Sequence, residues 1–169
     1  QQVISPLLGR TDQLEAVRDV GLVITSSIRL DDVLSAIAAQ ATALLNADAS
    51  AIFQLRDDCL VLAASYNMPH QFVGYRLESG EGAAGEVVRT GRTLRIDDYA
   101  VEWQGTPDLP LAHSTFGSVA VAPLISAEST QGILLVVQSR QGKIFSEEDV
   151  RLLELLGPQA AVVAGEMLR

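Results

Sequence analysis

Two strongly apolar runs, Ser118–Ile125 and Gly132–Ser139, lie either side of a short polar turn, Ser126–Gln131. Segments of this length, rich in valine, isoleucine and leucine and bounded by turn residues, read as strands. So short a link permits only antiparallel pairing. Upstream, Ala49, Ala51, Phe53 and Leu55 alternate with Ser50, Ile52, Gln54 and Arg56, and Asp57-Asp58 turns this strand into Cys59–Tyr66. That makes a second hairpin. Short strands are expected at Gly74–Glu78 and Thr93–Asp97, with Met68–Gln71 as a Pro69-punctuated turn between elements. Hairpin connections dominate, which argues for an antiparallel sheet with helices packed on one face, an α+β domain.

The helical segments lie mainly at the two ends. Leu14, Val17, Gly21, Ile24 and Ile28 follow the three-then-four spacing of a coiled-coil seam for about two heptads. The same spacing also suits one amphipathic helix lying on its own domain, and the residues leave both readings open. Asp31-Asp32 reads as the cap of a second helix, with Leu34, Ile37, Ala41, Leu44 and Leu45 on its apolar face and Asn46 as its stop. Gly80–Gly85 opens a helix that ends at Gly91. Near the C-terminus Ser146 and Asp149 match a capping box, and Leu153, Leu156, Ala160, Val163 and Met167 repeat the seam spacing. Pro158 interrupts that helix and predicts a kink, since proline removes a backbone hydrogen bond. Asp98–Ser114 has no clean period and reads as a long loop with one helical turn at most.

Composition narrows the function. The chain has 169 residues, the size of one domain, and 48% are hydrophobic, enough for a core. Its net charge is −9, with the twelve Lys and Arg scattered, which excludes the basic surface a nucleic acid needs. The single cysteine, Cys59, excludes a disulfide framework, and no Cys/His spacing suggests zinc. No apolar run approaches a membrane span. The start at Gln1, without methionine or signal pattern, reads as an excised fragment. We expect residues 1–10 to be linker and 11–169 one domain, with 11–28 and 146–169 as its terminal helices.

Gly80-Glu-Gly-Ala-Ala-Gly85 matches G-x-G-x-x-G, but its surroundings do not suit a dinucleotide. The preceding strand is short and charged, Asp97 and Asp98 come too early, and Glu81 sits where a pyrophosphate belongs. Glycines permitting a tight turn into a helix explain the motif better. That helix start could hold an anion on its free N–H groups, a use that Glu81 and Glu86 oppose. No nucleophile–base pair stands at a readable spacing, so no enzyme is expected.

Gly80-x-Gly82-x-x-Gly85, followed by Val87-Val88, Thr90-Gly91 and Ile96-Asp97-Asp98, resembles the central signature of GAF domains. Leu30-Asp31-Asp32-Val33-Leu34 and Ala47-Asp48-Ala49-Ser50 resemble the family's opening. Ser118–Ile125 with Gly132–Val136 resembles its paired late strands. Phe145–Asp149 and Gln159–Val163 resemble its closing helix. The resemblance implies a GAF/PAS-like antiparallel sheet of five or six strands, with terminal helices on one face and a ligand pocket under the long loop on the other. It implies a cytoplasmic small-molecule sensor and homodimer, fused to a kinase such as a histidine kinase of a two-component system, to a cyclase or to a transcriptional activator, without membrane contact.

Within that frame the pocket candidates are Ile96, Asp98, Tyr99, Trp103, His113, Phe116, Val119 and Val121. Aromatic residues cluster around the loop as a pocket wall does, and equally as anchors pinning it to the core. The dimer-helix candidates are Leu14, Val17, Ile24, Leu153, Leu156 and Val163. Cys59 is misplaced for covalent pigment attachment, the cyclic-nucleotide pattern of the family is absent, and one cysteine cannot run its methionine sulfoxide chemistry. No cofactor is assigned and no metal ligand set is expected; an unknown small molecule fits the family. Two alternatives stand beside the sensor: a ligand-free dimerisation spacer, and a haem or non-haem iron sensor centred on His113. His70 is expected to have no function.

Overall fold

The computed structural model describes residues 15–139 and 143–166, with the backbone alone described over 15–29. Helix α1 (Glu15–Leu44) leads into strands β1 (Ala49–Arg56) and β2 (Cys59–Tyr66). A 3-10 turn (His70–Phe72), β3 (Arg76–Leu77), α2 (Gly82–Thr90) and β4 (Leu94–Ile96) follow. Then come the short helices α3 (Tyr99–Glu102) and α4 (Ala112–Thr115), strands β5 (Phe116–Ser126) and β6 (Ser129–Ser139), and α5 (Glu147–Glu166). The strands form one antiparallel sheet in the order β3-β2-β1-β6-β5-β4.

Both faces of the sheet are covered. Ile52, Ala64, Ala120, Ala122, Leu124, Leu134 and Val136 pack against Leu34, Ile37, Ala38 and Ala41 of α1 and Leu153, Leu156, Ala160 and Ala161 of α5. The alanines on both sides of this contact keep the layers close. On the other face Ala51, Phe53, Leu62, Val119, Val121, Ile133 and Leu135 meet Leu77, the first turns of α2, Tyr99 and Leu109. Long helices therefore cover one face, and short helices with the 98–115 segment cover the other.

Several expectations change. The two N-terminal helices are one: α1 has 30 residues and passes through Asp31-Asp32, which lie exposed on its outer side and cap nothing. At about 1.5 Å per residue it is roughly 45 Å long. Leu44 is exposed, and Ala38 takes its place on the buried stripe. The stop at Asn46 holds, with φ 53° in the left-handed region. Strands β5 and β6 extend beyond their apolar runs until only Ala127-Glu128 joins them, at φ 53° and 65°. That left-handed pair matches strand twist in a two-residue hairpin, although neither residue is glycine or asparagine. The loop after Asp98 holds two helical turns. Helix α5 continues through Pro158. Its capping box forms as read: the Ser146 amide donates to Asp149 Oδ2 at 2.8 Å and the Asp149 amide to Ser146 Oγ at 3.1 Å.

The alternation in β1 is also as read, but its polar side is buried. Ser50 Oγ donates to the Ala38 carbonyl at 2.7 Å and accepts from Thr42 Oγ1 at 2.7 Å. Gln54 Nε2 donates to the Ala164 carbonyl at 2.7 Å, while its Oε1 accepts from Arg56 Nε and an Arg56 terminal nitrogen at 3.0 and 2.9 Å. Paired in this way, the polar groups escape the cost of unmet burial and tie both long helices to one strand.

Beside β1, Gly132 of β6 has no room for a side chain, because an added Cβ would overlap the Phe53 carbonyl oxygen. Gly132→Ala must push two central strands apart, and we expect a loss of about 2–3 kcal/mol. Urea unfolding checks this; an unchanged midpoint would show that the sheet centre yields freely.

Candidate functional site

The 98–115 segment is held by one buried carboxylate. Asp108 is fully buried. Its Oδ1 accepts from the Ala84 amide at 2.9 Å, and its Oδ2 from the Ala83 amide at 3.1 Å and the Tyr99 hydroxyl at 2.6 Å. The Asp108 amide in turn donates to the Tyr99 hydroxyl oxygen at 2.9 Å. Asp108 therefore caps α2 from 24 residues away and neutralises its partly positive end. The anion position that the sequence left open at this helix is filled from within the chain. The glycine motif now has a physical reason: Cβ atoms would lie 2.5 Å from Asp108 Oδ1 at Gly82 and 2.5 Å from the Gly80 backbone at Gly85. Asp108 was missed in the sequence because nothing local distinguishes it from a turn former after Pro107.

Burial pushes the Asp108 carboxyl above its ordinary pKa, against the pull of the Tyr99 hydroxyl and the two amides. Burial, and then the charge of Asp108, push the Tyr99 phenol far above its own ordinary value.

Aromatic contacts extend the pin. The Tyr99 ring lies 5.3 Å from that of Phe116, edge-on, and 5.3 Å from that of His113. His113 Nε2 is 2.9 Å from the Trp103 carbonyl, and Trp103 Nε1 donates to the Thr106 carbonyl at 2.7 Å. The Glu102 carboxylate folds back onto the amides of Asp97 and Asp98.

The eight pocket candidates therefore do not form one open site. Ile96, Tyr99, Val119 and Val121 are buried in the core. Trp103 and His113 are half-buried and bonded to each other's part of the loop, and Asp98 is exposed at the start of α3. His113 spends Nε2 on a carbonyl, and among the described residues no three His, Cys, Asp or Glu side chains are grouped to hold a metal ion. A non-haem iron site at His113 therefore finds no such group among the described residues. Cys59 is buried, with its Sγ 3.4 Å from the Arg56 carbonyl.

Phe116 does line a cleft, of about 280 Å³, at the side of the pinned segment. Asp48 and Ala49 at the start of β1, Val137 and Ser139 at the end of β6, and Asn67, Met68, Pro69 and Phe72 after β2 form one wall. Leu109, Pro110, Leu111 and Thr115 form the other. Leu111 stands out: it is 71% exposed and holds φ 66°, a conformation costly for a leucine.

The dimer-helix candidates also divide. Leu153 and Leu156 face the sheet and are spent on the domain's own core, which corrects their reading as a seam. Val163 is half-buried against the same core. Leu14 lies outside the described residues, as do the side chains of Val17 and Ile24. The outer side of α5 instead shows Leu155, 72% exposed, and Val162, 54% exposed, seven residues apart. No helix among the described residues is long and apolar enough to cross a membrane.

Compared with known proteins, a family model for the GAF domain matches residues 27–163. The chain belongs to the GAF family. GAF domains are typically small-molecule-sensing or regulatory signalling modules. The structure is similar to the GAF domain of an Acinetobacter phosphoenolpyruvate-protein phosphotransferase, with TM-score 0.73, 21% identity, and 81% of this chain and 82% of that chain covered. It is similar to a GAF domain/HD domain protein from Geobacter sulfurreducens, with TM-score 0.72, 18% identity, and 85% and 97% covered. It also resembles a type II free methionine-R-sulfoxide reductase from Thermoplasma acidophilum, with TM-score 0.66, 18% identity, and 82% and 96% covered. Likeness at such identities concerns the fold alone.

Asp108→Asn keeps one acceptor oxygen but turns the other toward a helix amide as a donor. We expect a loss of about 2 kcal/mol, read as a lower urea midpoint; an unchanged midpoint would mean that the carboxylate does not hold α2. A second outcome follows from Tyr99. A phenol whose folded pKa is raised contributes full stability below its unfolded value, about pH 10, and loses it as pH rises further. The difference in phenolate absorbance between the native chain and Tyr99→Phe should therefore stay near zero until alkaline unfolding begins. A difference appearing in the folded protein near pH 10 would show that the Tyr99 hydroxyl is open to water.

Proposed function

We propose that this chain is a non-catalytic, ligand-sensing and dimerisation module of a cytoplasmic signalling protein, and that its ligand occupies the cleft beside Phe116. The observation that carries this reading is the cleft itself: an apolar recess of about 280 Å³, with a strained, exposed Leu111 on its rim. That volume is just below the lower end of ordinary small-molecule pockets, about 300 Å³. Strain of this kind persists where a ligand or partner makes use of it.

The cleft adjoins the parts that would report its occupancy. Asp48 is one turn from the end of α1, and Gln138 of β6 donates to the Asn46 carbonyl at 2.7 Å in that turn. Ser50 and Gln54 then tie β1 to α1 and α5. A ligand that favours one arrangement of these contacts shifts the population of the helices, which connect to a kinase, cyclase or transcriptional activator. The seam lies on the outer face of α5, where Leu155 and Val162 need cover. The sequence suggests no nucleophile–base pair at a readable spacing, and Cys59 is its single cysteine, whereas a disulfide cycle needs two.

A second reading, the ligand-free dimerisation spacer, is favoured by the closed packing around Tyr99, which fills the space beneath the loop. Native mass spectrometry of the gently purified chain separates the two. A dimer carrying a discrete extra mass is the expected result. A bare dimer supports the spacer, and a bare monomer counts against dimerisation by this chain. Leu155→Glu with Val162→Glu should weaken the dimer at least tenfold without lowering the melting temperature, since both side chains are exposed in the monomer. A dimer that survives this change at low micromolar concentration would exclude the α5 seam.

A further inference from the structure

We infer that the cleft beside Phe116 selects a small amine carried on an aromatic frame. The inference rests on the reading of this cleft as the ligand site and adds the chemical class of its occupant. Three observations carry it: the material of the walls, the polar atoms at the mouth and the charge.

The interior walls come from Met68, Phe72, Leu109, Phe116 and Val137. Two phenyl rings and a thioether in one lining favour an aromatic guest, since sulfur–ring and ring–ring contacts both add to area burial. The volume, about 280 Å³, accepts one ring with a short chain.

The mouth is built of acceptors. Asp48 lines it with its carboxylate, of which Oδ2 takes the Ser139 amide at 2.6 Å. Oδ1 has no hydrogen-bond partner among the described residues. Asn67 donates its Nδ2 to the Asp48 carbonyl at 2.8 Å, which leaves its Oδ1 as a second open acceptor. Thr115 donates its hydroxyl proton to the Leu111 carbonyl at 2.8 Å, which leaves its oxygen as an acceptor. The Ser139 hydroxyl serves either role.

No Lys, Arg or His is among the lining residues. A carboxylate or phosphate entering here would meet Asp48 with no compensating cation, and its desolvation would go unrewarded. An ammonium meets a charge-assisted acceptor in Asp48 and two phenyl rings in the same lining. The net charge of −9 draws cations toward the surface before any contact forms.

The test uses three probes of similar frame: 2-phenylethylamine, 3-phenylpropionate and the neutral 3-phenylpropanol. Each is titrated into the whole chain, with amide chemical shifts as the readout. The amine should shift the amides of Asp48, Asn67 and Leu111 saturably and bind at least tenfold tighter than the carboxylate. Asp48→Asn keeps an oxygen for the Ser139 amide, so the fold is retained. It should weaken the amine about tenfold and leave the alcohol unchanged, as expected for one charge-assisted hydrogen bond. If the carboxylate or alcohol binds as tightly as the amine, or Asp48→Asn leaves the amine unaffected, the amine class is overturned while the site stands. If none of the three shifts cleft amides at about 10 mM, the cleft is not a small-molecule site and the reading beneath the inference falls with it.

Discussion

Pairing between β1 and β6 joins segments about 80 residues apart in the chain, Ala49 to Val137 at one end and Gln54 to Gly132 at the other. This contact turns two local hairpins into one sheet, and the rest of the fold is arranged around it. Both strands lie at the centre with cover on each face, so Ala51, Phe53, Ile133 and Leu135 belong to one core and Ile52, Leu134 and Val136 to the other. Slipping the register by one residue would move Ile52 and Phe53 to the wrong sides and place Gly132 where its lack of a side chain is of no use. The backbone approach at Gly132 and the buried bonds of Ser50 and Gln54 require this one register.

The same pairing divides the labour between the two faces. On the helix side the contacts are aliphatic and small, and hydrogen bonds from β1 reach the carbonyls of both α1 and α5. On the opposite side the cover is a loop with little secondary structure of its own, and such a segment must be fastened. Asp108 does this with one carboxylate that accepts three hydrogen bonds, which offset part of the cost of its burial. The pin closes the face around Tyr99 and leaves the recess at its side, where β1 begins and β6 ends.

Much of this was legible in the residues. The two hairpins, the order of the strands, the Asn46 stop and the Ser146 capping box all rest on contacts within a few positions, and period and cap chemistry report those directly. The family resemblance rested on several motifs in order along the chain, of which Gly80–Gly85 is one, and its glycines reflect steric limits set by Asp108 and by the Gly80 backbone. The candidate site was less legible. Of the eight residues proposed to line it, Phe116 alone touches the cleft. The others are aromatic, apolar or acidic residues near the loop, and proximity in sequence does not say which side of a loop a side chain takes. Leu153 and Leu156 erred for a related reason: a three-then-four stripe marks one apolar face of a helix but does not say whether a sheet or a second chain covers it.

The sequence by itself determined the local elements, the antiparallel class, the net negative charge and the single cysteine, because those follow from periodicity, turn chemistry and composition. Only the tertiary structure decided that α1 runs unbroken, that Ser50 and Gln54 are buried, that Asp108 caps a helix 24 residues away, and that the open recess lies beside Phe116 rather than over Tyr99. Each of these depends on which distant segments meet. A buried polar group or a closed pocket is a property of the pair of surfaces brought together, and neither surface carries it alone.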